Sequence, residues 1–189
     1  MALGLIIVIL VAVLLIVVAF ALYFVMVYNG LVQLKNNIKK SFANIDVLLK
    51  QRAEELPKLV DTVKGYMKHE KDILTEVTKA RTAFMNAKTV GEKAAADNMM
   101  TGTLKTLFAV AENYPQLKAN ENFNQLQGRI SGIENELADR REFYNDSVNT
   151  YNIRIASFPD MIIANMLHYM PEEMFKATEE ERKDVKISF

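Results

Sequence analysis

The chain has 189 residues, half of them hydrophobic, and its 23 basic side chains balance 23 acidic ones. A neutral chain lacks the basic surface that nucleic-acid binding requires, so we expect no nucleic-acid partner. Because the chain contains no cysteine, disulfides, thioether-linked haem, zinc–thiolate sites and iron–sulfur clusters are excluded. The length allows one domain of ordinary size and one membrane segment.

The N-terminal stretch is predicted to be a transmembrane anchor over residues 1–28. Residues 2–28 contain neither charge nor proline. As a helix they span about 40 Å, more than the roughly 30 Å of bilayer hydrocarbon. A cleaved signal peptide is the alternative, because Ala19-Phe20-Ala21 fits a cleavage site. The missing basic n-region and the apolar run beyond Ala21 favour an uncleaved anchor.

Charges beside the anchor predict its orientation. The N-terminal side offers no basic side chain, whereas Lys35, Lys39 and Lys40 follow the anchor closely. Basic residues near a membrane span prefer the cytoplasm. We therefore expect a single-pass protein of the cell membrane, with a short N-terminus outside and residues 29–189 in the cytoplasm.

Beyond the anchor, apolar residues keep the three- and four-residue spacing of helices, and no stretch alternates with period two. The first predicted helix runs from about residue 31 to residue 88, with a kink or restart at Pro57. Two polar residues, Arg52 and Glu70, fall in its apolar register. We predict that both belong to a polar layer inside the core.

Two further helices and a tail complete the predicted domain. Thr89-Val90-Gly91-Glu92 is a capping-box pattern, which predicts a helix over about residues 90–114. Asn120 is the predicted cap of a helix over about residues 120–157, and residues 158–189 form an irregular or short-helical tail. The pattern predicts an all-α fold, in which one N-terminal transmembrane helix precedes an elongated antiparallel bundle of three to four helices.

The helix over about residues 120–157 carries a heptad repeat with a four-residue stutter between Arg140 and Tyr144. This register places Arg140 in the core, where its permanent charge needs a carboxylate or several carbonyl groups. Counting back from a turn near residue 117, we expect Arg140 to pair with Glu92 or Asp97.

Two Tyr-Asn pairs recur on the same helix. Tyr144-Asn145 and Tyr151-Asn152 are seven residues apart, so the tyrosines share one face and so do the asparagines. They form either a ligand-binding strip or a hydrogen-bonded layer that fixes the helix register. The structural alternative is favoured, since no nucleophile or metal ligand accompanies them.

Gly128 and Gly132 lie four residues apart beside the apolar stripe. This spacing permits close helix approach in membranes. In a soluble helix it marks either tight packing or a tolerated cost of about 1 kcal/mol for each glycine. We predict close helix packing at both glycines, because both flank the stripe.

Motifs of catalysis and cofactor binding are missing. His69-Glu70 begins like a zinc-protease motif, but Ile73 stands where the second histidine would be. His168 has no glutamate three residues before it, as a di-iron bundle would need. The dinucleotide, phosphate-loop and serine-hydrolase motifs are also absent. We predict no enzyme activity, no cofactor and no metal.

A series of short motifs runs along the whole chain. They are, in order, Tyr28-Asn29, Leu31-Val32, Ile45-Asp46-Val47, Lys50, Arg52, Pro57, Leu59-Val60, Val63-Lys64-Gly65-Tyr66, His69-Glu70, Ala111-Glu112-Asn113-Tyr114-Pro115, Leu117-Lys118-Ala119-Asn120-Glu121-Asn122-Phe123, Glu134-Asn135, Arg140-Arg141, Tyr144-Asn145, Tyr151-Asn152 and Phe158-Pro159. Together they resemble the LemA family of membrane-anchored proteins. The chain has Leu56-Pro57-Lys58 where the family usually has Ile-Pro-Asn. The resemblance implies an N-terminal transmembrane helix followed by a four-helix-type bundle, and it brings no catalytic residues.

These features predict a non-catalytic membrane-anchored scaffold or protein-interaction module. Its expected partners are the lipid bilayer and membrane or cytoplasmic proteins that the sequence does not identify. The alternative is a self-assembling homo-oligomer, such as a coat or cage component. Its basis is a methionine-rich tail and unequal charge, since residues 29–88 hold 12 basic and 7 acidic side chains and residues 89–189 hold 11 and 16. An enzyme is the remote third alternative.

Overall fold

The computed structural model describes residues 1–67 and 71–175. Within these ranges every regular element is a helix, and no strand occurs. The elements are α1 (Ala2–Lys64), α2 (Lys71–Asn86), α3 (Val90–Ala111), α4 (Pro115–Lys118), α5 (Glu121–Ala156) and α6 (Asp160–Met166). The predicted all-α fold is therefore confirmed.

The chain packs into two compact units. Unit 1 consists of Met1–Lys40 and Ser147–Glu172, and unit 2 consists of Ser41–Asp146 and the described residues from Glu173. Helices α1 and α5 each contribute one part to unit 1 and another part to unit 2.

In unit 1, residues 2–22 of α1 are apolar and exposed on every side. Its large side chains from Leu3 to Leu22 are exposed, and its first charged side chain is Lys35. Among the described helices, α1 is the one long and apolar enough to cross a membrane. An exposed run of apolar residues of this length is unfavourable in water, so this part of α1 makes the chain membrane-associated.

In unit 2, the second part of α1 runs antiparallel to α5. Near the start of this part of α1, the rings of Phe42 and Tyr144 lie 5.8 Å apart. Just beyond its end, Asn120 donates to the Tyr66 hydroxyl at 3.1 Å. Contacts that advance along one helix and recede along the other define an antiparallel pair.

The remaining helices of unit 2 complete a four-helix bundle. Lys93 and Asp97 of α3 contact Asp46 and Arg52 of α1, in the same order along both helices, so α3 runs parallel to α1. The shorter α2 connects them in the opposite direction and packs on α3. Within the described residues, the predicted antiparallel bundle of three to four helices therefore has four long helices, joined up-down-up-down.

The single helix predicted over residues 31–88 is wrong, because α1 ends at Lys64 and α2 begins at Lys71. Gly65 follows α1, and the amides of Tyr66 and Met67 both donate to the carbonyl of Val63, which closes the last turn. Glycine costs more than any residue except proline in a helix interior. The sequence contained this stop signal, although the continuing apolar spacing obscured it.

The two predicted helix caps are confirmed. The Glu92 amide donates to Oγ1 of Thr89 at 3.2 Å, and the Thr89 amide donates to Oε2 of Glu92 at 3.0 Å, which is a capping box. At the start of α5, the Phe123 amide donates to Oδ1 of Asn120 at 3.0 Å.

Pro57 lies inside α1, which continues past it. Proline has no N–H, so the carbonyl of Ala53, four residues earlier, lacks its usual helical donor. The structure supplies another donor, because Nε of Arg81 on α2 donates to this carbonyl at 3.2 Å. The proline therefore creates an acceptor that joins α1 to α2.

Because the Arg81 side chain replaces the amide donor that Pro57 lacks, we expect changes at Arg81 and Pro57 to have strongly coupled effects on stability. Arg81→Met should lower the free energy of unfolding by about 1–3 kcal/mol, because the carbonyl of Ala53 loses its donor. In a Pro57→Ala background the amide of the introduced alanine can donate instead, so the same change should cost much less. Chemical denaturation of the four proteins gives the coupling energy. Additive effects of the two changes would contradict the assignment.

Candidate functional site

In the described parts of the chain, titratable side chains are not grouped as a metal site requires. Within residues 1–67 and 71–175, no three histidine, cysteine, aspartate or glutamate side chains lie close enough together to hold a metal ion. His168 is exposed, with its Nδ1 3.1 Å from the carbonyl oxygen of Asn165. His69 and Glu70, for which the sequence predicts a half-motif and a core position, lie outside the described residues.

A buried ion cluster joins three helices of unit 2. Its members are Arg52 of α1, Asp97 and Thr101 of α3, and Glu134 and Arg141 of α5. The fully buried Arg52 donates from Nη1 to Oδ1 of Asp97 at 2.7 Å. Its Nη2 donates to Oγ1 of Thr101 at 3.0 Å and lies 3.3 Å from Oε1 of Glu134. Arg141 donates to the other oxygen of Asp97.

The chemistry of the buried ion cluster is structural. Burial raises the pKa of the Asp97 carboxyl above its ordinary value, while the guanidinium groups of Arg141 and Arg52 act in the opposite direction. Neither arginine can release a proton at physiological pH, so the carboxyl has no partner for acid–base chemistry among these two neighbours. The cluster therefore holds α1, α3 and α5 together.

The predicted burial of Arg140 is wrong. Arg140 is exposed and donates to Glu136 of the same helix at 3.1 Å, and neither Glu92 nor Asp97 is its partner. The neighbouring Arg141 faces the core, so Leu137, Arg141 and Tyr144 follow a four-then-three spacing, and the four-residue stutter lies between Leu137 and Arg141 instead of between Arg140 and Tyr144. One residue is about 100° around a helix, which is enough to exchange core for solvent.

The predicted close packing at Gly128 and Gly132 is also wrong for the described chain. Both glycines are exposed, and a Cβ added to either would meet no described atom within 4 Å. They flank the apolar stripe but lie on its solvent side. The spacing of the two glycines alone did not establish that a helix approaches them.

In unit 1, Tyr151 and Asn152 hold an extended stretch of the chain; we name this set the Asn152 clamp. Nδ2 of Asn152 donates to the carbonyl of Glu172, and the Glu172 amide donates to Oδ1 of Asn152, both at 2.9 Å. The hydroxyl of the buried Tyr151 donates to the carbonyl of Met170 at 3.0 Å. Burial, followed by the charge of Glu172, raises the pKa of the Tyr151 hydroxyl, which therefore stays a donor.

In unit 2, Tyr144 and Asn145 do the same; we name this set the Asn145 clamp. Nδ2 of Asn145 donates to the carbonyl of Phe175 at 3.0 Å, and the Phe175 amide donates to Oδ1 at 2.8 Å. The Tyr144 hydroxyl donates to the carbonyl of Glu173 at 2.8 Å. The guanidinium of Arg141 lies over the Phe175 ring, 5.5 Å from its centre.

Each clamp recognises backbone rather than a side chain. The asparagine amide has one donor and one acceptor aimed at the carbonyl and amide of the same residue. In an antiparallel β-sheet, a residue of the neighbouring strand forms the same two hydrogen bonds, one to the amide and one to the carbonyl of a single residue. The repeated Tyr-Asn pairs therefore bind an extended segment of their own chain, which leaves these polar atoms satisfied.

The predicted membrane-flanking lysines separate into two groups. Nζ of Lys35 lies 3.5 Å from Oε1 of Glu172 and 5.6 Å from the centre of the Tyr169 ring. Lys39 and Lys40 are exposed. Lys35 is thus used to hold the extended segment in unit 1, whereas the other two lysines remain on the surface.

A second ion pair of unit 1 was not predicted from the sequence. Nε of Arg154 lies 2.7 Å from Oδ2 of Asp160, and the Tyr23 hydroxyl donates to Oδ1 at 2.6 Å. These two donors hold the pKa of the Asp160 carboxyl below its ordinary value. A Cβ on Gly30 would lie 2.5 Å from Nη1 of Arg154, so the glycine makes room for the guanidinium.

Comparison with known proteins identifies the family. The LemA family model matches residues 41–189. Protein LemA of Metamycoplasma hominis is 31% identical over 88% of this chain and 77% of its own length. The chain belongs to the LemA family. This confirms the family resemblance derived from the motif series.

The chain is also similar, over a comparable share of its length, to proteins named as magnetosome proteins. Magnetosome protein MamQ 2 of Paramagnetospirillum magneticum is 25% identical to this LemA-family chain, over 85% of the chain and 68% of the relative. Magnetosome protein MamQ of Magnetospirillum gryphiswaldense is 22% identical, over 84% and 68%. The alignments cover most of the chain, so the similarity is not confined to the apolar helix.

Arg52 and Arg140 of this LemA-family chain each form an ion pair, one buried and one exposed, so they test how burial changes the contribution of an ion pair to stability. Arg52→Ala should lower the free energy of unfolding by about 3–5 kcal/mol, because it leaves charges of the buried cluster without their partner. Arg140→Ala should change it by no more than about 0.5 kcal/mol, because its pair is exposed. Denaturation of the detergent-solubilised chain measures both, and equal stability of wild type and Arg52→Ala would contradict the assignment.

Proposed function

We propose that this LemA-family protein is a single-pass membrane-anchored interaction module that performs no catalysis. The single observation that carries the proposal is the contrast within α1. Residues 2–22 expose aliphatic side chains on every side, whereas residues 41–64 bury one apolar face in a four-helix bundle. A helix of this kind fixes a folded, charged surface next to a bilayer.

The use of polar residues supports a role without catalysis. The buried charges at Arg52 and Asp97 bind one another, and the paired tyrosines and asparagines bind the chain's own backbone. A catalytic site would instead keep a polar group available for a substrate, with a second group placed to move a proton. The surface of unit 2 exposes single apolar residues, among them Val47, Met85 and Met99.

The proposed orientation places the short N-terminus outside the cell and unit 2 in the cytoplasm. Its support is the excess of basic side chains after the anchor. Lys39 and Lys40 are exposed, while no basic side chain precedes the anchor. Exposed lysines within a few residues of a span are the ones that favour the cytoplasmic side.

A single cysteine tests this topology, because the natural chain has none. Glu142 is exposed on α5, so Glu142→Cys should resist a membrane-impermeant thiol reagent in intact cells and react after lysis. The control Ala2→Cys should react in intact cells. Labelling of Glu142→Cys before lysis, with Ala2→Cys protected, would reverse the proposed orientation.

Single cysteines also test the interaction role. Val47, Met85 and Met99 are exposed apolar residues of unit 2 on α1, α2 and α3. Cysteines at these three positions and at 142, loaded with a photoactivatable thiol reagent in isolated membranes, should give a discrete heavier adduct from at least one position. An adduct of twice the chain mass would identify a homo-oligomer as the interacting form. Four positions without any adduct would contradict an interaction module.

A further inference from the structure

A second apolar surface of unit 1 lies after α5. The segment 157–170 includes α6 and exposes large apolar side chains at a density seen nowhere else in the described chain outside the anchor. Phe158 is 79% exposed and Met166 is 60% exposed. The exposed set is Phe158, Met161, Ile162, Met166, Leu167 and Met170. Exposed apolar residues in unit 2 occur singly, whereas these six lie within 13 residues of chain.

The same segment almost lacks charge. Residues 155–171 contain one charged side chain, Asp160, which is bound by Arg154 at 2.7 Å and by the Tyr23 hydroxyl at 2.6 Å. The opposite side of α6 is already used, since Ile163 and Ala164 are buried. The exposed side is therefore an apolar face without a described partner and without charges to solubilise it.

The Tyr23–Asp160 hydrogen bond fixes the level of this face along the anchor. Tyr23 lies near the end of the uncharged stretch 2–28, after which the first charged side chain is Lys35. Tyrosine rings prefer the boundary between hydrocarbon and headgroups, so Tyr23 marks that boundary. Because Asp160 is the first residue of α6, α6 begins at the level of the lipid headgroups.

We propose that segment 157–170 lies in the interfacial layer of the bilayer that α1 crosses, with Phe158, Ile162 and Met166 in contact with the upper acyl chains. Ile162 and Met166 are four residues apart on one face of α6, and the exposed Phe158 lies in the turn just before this helix. An apolar helix face of this kind lies in the membrane plane at the boundary of headgroups and acyl chains. The proposal rests on the proposed function, since α1 must cross the bilayer.

Lipid contact can be measured on the full chain. Single cysteines at Phe158 and Met166 are labelled with a polarity-sensitive fluorophore, and each protein is reconstituted into vesicles of equal parts phosphatidylcholine and phosphatidylglycerol. Doxyl lipids that carry the quencher near the headgroup, or near the end of the acyl chain, report depth. Met85→Cys is the matched control, because Met85 is 62% exposed but lies on α2 in unit 2. Leu14→Cys, at 61% exposure within the anchor, reports the anchor itself.

The labels at 158 and 166 should show blue-shifted emission and lose more intensity with the shallow quencher than with the deep one. The label at 85 should show neither change, and the label at 14 should be quenched most by the deep lipid. Water-like emission at 158 and 166, with deep quenching at 14, would overturn the interfacial proposal alone. Water-like emission at 14 would overturn the anchor and the proposal together. Blue-shifted emission at 158 and 166 without lipid quenching would show a protein cover and overturn the lipid assignment.

Discussion

A buried guanidinium needs acceptors for its charge, and the packing of unit 2 depends on where Arg52 finds them. Its partners lie on two other helices, with Asp97 on α3 at 2.7 Å and Glu134 on α5 at 3.3 Å. Sliding any of the three helices by one turn would move a charge about 5.4 Å from its partner. Apolar contacts alone would tolerate such a shift better, because they are not directional. The cluster therefore fixes the register of the bundle, at the cost of desolvating several charges.

Backbone groups impose a comparable requirement on the extended stretch after α6. Residues 170–175 form neither a helix nor a strand, so their amides and carbonyls need partners from elsewhere. The Asn152 and Asn145 clamps provide them, one in each unit, with a tyrosine hydroxyl beside each asparagine. This explains why the two residue types recur together without any nucleophile or metal ligand. It also explains how a segment without regular structure stays attached to a helical protein.

Much of the helical plan could be predicted, because it depends on local signals. The capping box at Thr89, the cap at Asn120 and the apolar period of α5 act within one or two turns. The misses have a different origin. Arg140 and Arg141 have nearly the same local environment in sequence, and a choice between them depends on Asp97, 44 residues away from Arg141. Asp97 was predicted as a partner of the core arginine, and the spacing of Ala94, Asp97, Thr101 and Leu104 on α3 also indicates that it is buried.

Other features could not be read from one sequence. The two Tyr-Asn pairs were recognised as a polar layer, but their partner is a stretch with no periodic pattern of its own. The bond between Tyr23 and Asp160 joins residues 137 positions apart. The local sequence does not explain why residue 30 is a glycine, because the side chain that occupies the space beside it is that of Arg154. In each case the information lies in tertiary contacts rather than in spacing.

Hydrogen exchange at residues 170–175 is the most direct measurement of whether polar side chains here serve the chain's own structure. In Asn152→Leu and Asn145→Leu, the amides of Glu172 and Phe175 respectively lose their acceptor. Each should exchange about tenfold faster or more, since a bond to a buried amide is worth about 1–1.5 kcal/mol. The control Asn135→Leu, exposed on the same helix, should leave both amides unchanged. Wild-type exchange in both asparagine variants would contradict a structural role for the Tyr-Asn pairs.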